Sequence, residues 1–457
     1  MMDTQSTDVI LHAFDWPYRL IAERAVRIAR CGYRAVLVSP PMKSAMSEQG
    51  TLWWQRYQPQ DYRVIENQLG DTHEFRRMVA TLAEQDIWVY IDVVFNHMAN
   101  ESKQRLDLQY PSHEVLAQYQ QDEHYYQEMR LFGDLSQPLF HEEDFVDAFG
   151  IRDWNDPWEV QNGRITGGPH DQGLPTLVAN PHVVQQQQQY VQVMKSLGVK
   201  GFRIDAAKHM TLEHLKQVWT EELTHDVHIF GEIITDGGAS HEEYQIFLQP
   251  YLQETHLAAY DFPLFQTIYN AMSPQGDLTS LVNPYWFGQA LSPERAITFS
   301  ITHDIPNNDI FRGQVMEEWA EALAYSYILG RDGGVPLVYS DLDSSGMTNQ
   351  MGFPRWENAW QAEAMSARID FHNRLHGLPM QMLVSEKDCL VFSRGDRGLV
   401  VLNKSGSPKV LSLHWPCPMQ DMLSGRFFLC QSDMLTIEVP GHDSYMLLPY
   451  STPSETG

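Results

Sequence analysis

Gly201-Phe202-Arg203-Ile204-Asp205-Ala206-Ala207-Lys208-His209 is the stretch on which the fold turns. It reads as a short apolar strand that ends in polar residues, with an arginine and an aspartate two positions apart. Residues two apart on a strand share a face. In a closed parallel barrel Arg203 and Asp205 would both point inward near the strand's C-terminal end, where such barrels keep their chemistry. A buried guanidinium favours the ionised carboxylate, the form that a nucleophile needs. Arg–Asp pairs also fill barrel cores as plain structure, so the segment needs support from the rest of the chain.

Working outward, apolar, β-branched runs alternate with helical patterns. Residues 8–14 read as a strand, 18–31 as an amphipathic helix and 35–39 as the next strand, which is βαβ grammar. Strand patterns recur at 87–95, 201–205, 228–233, 257–262, 296–301 and 335–340, and with the first two these make the eight that close a β/α barrel. The interval 98–180 is too long for an ordinary loop and is rich in Asp, Gly, Pro and His, so an inserted subdomain after the third strand is expected. After residue 375 short strands are broken by turns such as Arg394-Gly395-Asp396-Arg397-Gly398 and Pro440-Gly441-His442-Asp443. The expected organisation is α/β: a (β/α)8 TIM barrel over 1–97 and 181–374, an insertion over 98–180, and a C-terminal antiparallel β-sandwich over 375–457.

Among 457 residues, 59 Asp and Glu face 32 Lys and Arg, a formal charge of −27. Such a surface repels phosphate backbones and anionic lipid, which argues against a nucleic-acid partner. No apolar run approaches the roughly 20 residues needed to span a bilayer, so no membrane association is expected. The chain opens Met1-Met2-Asp3-Thr4-Gln5 without a basic then apolar leader, and a cytoplasmic location is the expectation. Cys31, Cys389, Cys417 and Cys430 show neither zinc-site nor disulfide spacing. The five glutamines 185–189 sit among apolar residues at helical spacing and read as a solvated helix face.

Polar clusters end four of the strands: Asp92 to Asn96-His97, Asp205, Glu232, and Thr302-His303-Asp304. Carboxylates converging on one rim are costly unless their protonation states are arranged for work, which points to catalysis. In this order the clusters resemble the motifs of the α-amylase family of glycoside hydrolases, family thirteen. The run Trp53-Trp54-Gln55-Arg56-Tyr57-Gln58-Pro59 and the segment 205–210 are similar to those of its animal-type members. The resemblance implies Asp205 as nucleophile, Glu232 as general acid/base and Asp304 as transition-state stabiliser. It implies Trp54, Tyr57, Gln58, His97, Arg203 and His303 around the sugar at the cleavage point or its neighbour. Lys208 and His209 would then lie on the leaving-group side of an α-1,4-linked glucan. The residues agree with these roles. Arg203 suits Asp205 to the charged form, while Glu232 follows the apolar Val227-His228-Ile229-Phe230 and has Asp304 as a third acid, both of which raise its pKa.

The resemblance also implies calcium, held by Asn96, an aspartate of the insertion and the carbonyl of His209. Leu174-Pro175-Thr176-Leu177 puts Thr176 where that aspartate would stand, so the site is expected to be weak, relocated or absent. Chloride, implied through Arg203 and an asparagine before His303, loses its second ligand to Thr302. The expected activity is endo-acting hydrolysis of starch-like glucans. The alternatives are an exo-acting or transglycosylating enzyme of the same family, shaped by Tyr125, Tyr126, Trp154, Trp158 and Trp286, or a catalytically dead scaffold barrel like the related transporter heavy chains.

Overall fold

Eight apolar runs close into a parallel barrel in the computed structural model, which describes residues 8–46 and 52–450. The ends of the expected barrel and C-terminal segments, 1–7 and 451–457, lie outside that description. The strands are β1 Ile10–Ala13, β2 Ala35–Val38, β3 Trp88–Val93, β4 Val199–Ile204, β5 His228–Gly231, β6 Ala258–Tyr260, β7 Ala296–Thr298 and β8 Val335–Ser340. Each pairs with its sequence neighbours, and β1 pairs with β8 to close the ring. All eight strand patterns in the sequence are thus strands of one barrel.

Register carries the chemistry upward from this frame. Asp92 on β3 stands opposite Arg203 on β4, and Arg203 stands opposite Phe230 on β5. A Cβ on Gly201 would lie 2.4 Å from the Tyr90 ring, so only glycine lets β4 approach β3 here.

The outer helices dock through apolar stripes. Tyr18–Arg30 buries Tyr18, Ile21, Ala25 and Ile28, a three-four-three spacing. Pro181–Ser196 starts at Asn180, whose side chain accepts from the Val183 amide. Its glutamine run is not one solvated face, because Gln187 is completely buried. Gln187 Nε2 donates to the Phe95 carbonyl at 2.9 Å and Oε1 lies 2.7 Å from His214 Nε2. The stripe that buries Val183 and Tyr190 carries Gln187 inward with it.

Between β3 and that helix the chain forms three short helices, His113–Gln121, Glu123–Met129 and Pro157–Asn162. The isolated bridge of His97 with Thr176 ties this insertion to the C-terminal rim of the barrel, and that of Phe145 with Leu177 joins two parts of the insertion itself. Beyond the helix Glu363–Arg374, six strands between Met380 and Pro449 form one antiparallel sheet, and a three-stranded sheet packs on it. Alternation on the strand Cys389–Arg394 serves both sides: Cys389 and Val391 join the core between the sheets, while Leu390 and Phe392 join the barrel core. Among the described residues no helix is long and apolar enough to cross a membrane, and the four cysteines are free.

Candidate active site

The barrel ladder itself sets two of the acids. The Asp205 amide donates to the Val93 carbonyl and the Glu232 amide to the Ile204 carbonyl, both at 3.0 Å, which continues the pairing past the strand ends. Ala206 then turns into the left-handed region, φ 49°, where a residue with a Cβ is strained. That turn returns the Ala206 amide to Glu232 Oε2 at 3.0 Å. Asp304 opens the short helix Asp304–Asn307 after β7.

Arg203 lies beneath them, fully buried. Its Nη1 donates to both oxygens of Asp92, at 2.8 and 2.6 Å, and to Asp205 Oδ1 at 2.9 Å. Its Nη2 donates to Glu232 Oε1 and lies 3.9 Å from Asp304 Oδ2. The arginine therefore does not line the cavity, and the expected sugar contact is replaced by a positioning role under the carboxyls. Nor does it serve Asp205 alone, because Asp92 takes the larger share.

Four carboxyls around one guanidinium, three of them buried and Asp304 partly so, cannot all stay ionised at low cost. Burial raises Asp205 well above the ordinary aspartate range, with Arg203 opposing and the other acids adding to the rise. The expectation that Arg203 would hold Asp205 low thus fails. Burial and Asp304 lift Glu232 to about 8 against the pull of Arg203. The proximity of the two acids raises Glu232 and lowers Asp304. Burial lifts Asp92 to about 6. It also keeps the nearby imidazoles neutral, with His97 and His209 at about 4 and His303 well below its ordinary value.

A cavity of about 770 Å³ opens over Asp205, Glu232 and Asp304. Trp53, Trp54, Tyr57, Gln58, His97, Lys208, His209 and His303 also line it, so every expected substrate contact except Arg203 is on its wall. The Tyr57 hydroxyl donates to Asp92 Oδ2 at 2.9 Å. Its ring stacks on His303 at 5.2 Å, and Phe14 covers the far side of His303 at 4.5 Å. Trp54 is 42% exposed and offers an open platform. His97 Nε2 donates to the Tyr57 carbonyl at 2.9 Å, while Nδ1 faces Asn96 Nδ2 at 3.2 Å; both nitrogens are committed inside the protein. Lys208 Nζ donates to Glu243 Oε1 at 2.8 Å. His209 Nδ1 donates to the Val160 carbonyl at 3.0 Å, and its ring meets the edge of Trp154 from the insertion. Trp53 belongs to the aromatic run 53–59 but has no role assigned from it, while Phe14 and Glu243 carry no local signal in the sequence.

The implied calcium ligands form a poor set. The Thr176 hydroxyl donates to the Gly163 carbonyl at 3.1 Å, and the Asn96 amide nitrogen is turned to His97. The side chain of Asp144 in the insertion is held by Asn180 and the His141 amide. Asn96, Thr176 and His209 bring no carboxylate to an ion that takes six to eight oxygens, so these residues do not fit it. At the implied chloride position, Arg203 Nε and the Thr302 hydroxyl are buried without partners among the described residues, which leaves two donors there.

The family description "Alpha amylase, catalytic domain" matches residues 21–285. An α-amylase of Aeromonas hydrophila is 48% identical over 398 residues, covering 87% of this chain and 84% of its own. An α-amylase of Thermomonospora curvata is 27% identical over 88% of this chain and 64% of its own. Among solved structures, wild-type α-amylase I of Eisenia fetida superposes with a TM-score of 0.78 at 22% identity, covering 97% and 98% of the two chains. A cyclomaltodextrin glucanotransferase with a three-domain distribution superposes at 0.70 and 18%, covering 98% and 100%.

Proposed function

The chain belongs to the α-amylase family of glycoside hydrolases, and on that footing we propose that it cleaves α-1,4-glucosidic bonds of starch-like glucans or maltooligosaccharides with retention. Glu232 gives its proton to the glycosidic oxygen as an Asp205 oxygen attacks the anomeric carbon. The carbon–oxygen bond breaks, the leaving sugar departs with the proton, and a glycosyl ester forms on Asp205. Water then gives a proton to Glu232 and attacks the same carbon, releasing Asp205 and restoring the acid. Asp304 stabilises the positive charge that develops on the ring. Arg203 and Asp92 position the pair, Tyr57 and Trp54 face the sugars, and Lys208 with His209 meets the leaving-group side.

The observation that carries the reading is the convergence of Asp205, Glu232 and Asp304 on one cavity wall. Arg203 donates to both Asp205 and Glu232 beneath it, and burial with the neighbouring Asp304 lifts Glu232 to about 8, where it holds a proton to give. Incubation with amylose and maltooligosaccharides, with products followed by size and anomeric form, tests it. Products released in the α form support retention, and release in the β form would sink it. Short products accumulating one unit at a time, or chains longer than the substrate, would replace endo hydrolysis by the exo or transfer alternatives.

A further inference from the structure

We propose that the N-terminal face of the barrel, opposite the cavity, carries a site for one divalent cation of the zinc class, held by Asp8, His372 and His376. Asp8 lies on the chain entering β1, His372 on the helix Glu363–Arg374, and His376 just beyond that helix. Asp8 Oδ1 is 2.8 Å from His372 Nε2, and Asp8 Oδ2 is 3.1 Å from His376 Nε2. The three ligand atoms lie within 4.8 Å of one another.

The second observation is the orientation of His372. Its Nδ1 is 3.1 Å from the Leu329 carbonyl, which can only accept, so Nδ1 carries the hydrogen. Nε2 then points at the Asp8 carboxylate, 2.8 Å away, and the gap between them is filled by a proton or by a metal ion. A carbonyl behind the distal nitrogen is also how metal-binding imidazoles are commonly held in place. Arg394, the nearby cation, donates to the carbonyls of Gly330, Arg331, Leu375 and Leu378, which leaves the Asp8 oxygens to the imidazoles.

Ligand chemistry sets the class of ion. Two imidazoles and one carboxylate with a water suit zinc or cobalt, whereas calcium and magnesium prefer an all-oxygen shell. Tetrahedral bonds of about 2.0–2.1 Å place neighbouring ligand atoms about 3.3 Å apart, so the two Asp8–imidazole separations of 2.8 and 3.1 Å are close to what an ion needs. His376, 33% exposed, has room for that movement and leaves an entry path, while His372 at 4% is fixed. Asp8 and His372 are 364 positions apart, so an ion here ties the first strand of the barrel to its last helix.

The test uses the untagged full chain, stripped with a chelator and desalted. Cobalt(II) is titrated and followed by visible absorption, and zinc is titrated by calorimetry. One ion per chain is expected, with tetrahedral cobalt bands, a raised melting temperature and unchanged hydrolysis of maltooligosaccharide. His376→Ala and Asp8→Asn are each expected to weaken binding at least about tenfold while keeping the wild-type circular dichroism. Lack of stoichiometric binding, wild-type affinity in both variants, or displacement of cobalt by millimolar calcium would overturn the proposal, the first leaving an ion pair held by protons.

Discussion

At the C-terminal rim four carboxyls share Arg203, and burial carries Glu232 up to about 8 and Asp92 to about 6. At the opposite end Asp8 faces two imidazoles and is drawn down to about 2, although burial is its largest single influence and acts upward there too. Burial therefore does not decide the sign; the ratio of carboxyls to cationic partners does. An excess of acids makes a store of exchangeable protons, which suits acid/base chemistry. An excess of bases fixes one charge in place, which suits a structural tie. Substitutions at the two ends should accordingly fail in different ways, one in rate and the other in stability.

The largest effect is expected from Asp205→Asn, which removes the attacking oxygen while preserving shape. The rate constant should fall at least about 10⁴-fold with an unchanged melting temperature. A loss below tenfold would break the assignment of the rim as the reacting end. Next comes Asp304→Asn, expected to cost about 10²–10³-fold in rate and to move the pH profile. The wild type should lose activity as pH rises through about 8, where Glu232 gives up its proton. Without the negative charge and hydrogen bond of Asp304, that proton leaves sooner, so the alkaline limb moves to lower pH. On the acid side, activity should disappear above the ordinary aspartate range because Asp205 is itself raised. A limb that stays put in Asp304→Asn would mean that burial alone sets Glu232.

The barrel was legible because each strand is a short, mostly apolar run set off by helical patterns, and the Arg203–Asp205 pairing because a strand repeats every two residues. The sharing of Arg203 was not. It depends on the register of β3 against β4, which sets Asp92 opposite Arg203 and which no local period encodes. From sequence, Arg203 therefore reads as a sugar contact and as a partner of Asp205 alone. Phe14 behind His303, Gln187 under a run of solvated glutamines, and Asp8 against a helix 364 positions away share that character. Each is created by closure of the ring and not by its neighbours in the chain.

At the N-terminal end the effect is smaller and lies in stability. The shift of Asp8 from 3.8 to about 2 corresponds to about 2 kcal/mol in metal-free protein. A depressed carboxyl contributes above its unfolded value and loses that contribution as pH falls through about 2. His376, raised by the same contact, contributes below 6.5 and loses it as pH rises through its folded value. Urea unfolding of Asp8→Asn should therefore show its greatest deficit between about pH 4 and 6.5, narrowing on both sides. A deficit independent of pH would mean that the ion pair contributes nothing and only packing was lost.

The smallest effect sharpens the contrast between the two ends as cation sites. Calcium added to stripped enzyme should change neither rate nor melting temperature measurably, because Asn96, Thr176 and His209 offer no carboxylate and the Thr176 hydroxyl is committed to Gly163. Zinc under the same conditions should raise the melting temperature, because the other end provides a carboxylate between two oriented imidazoles. The comparison inverts if calcium proves stoichiometric and tightly held. Asp144 would then have to leave Asn180 and the His141 amide to supply the missing charge. Asp144→Asn, measured with and without calcium, would decide it: a calcium effect lost in that variant would move the cation site to the rim.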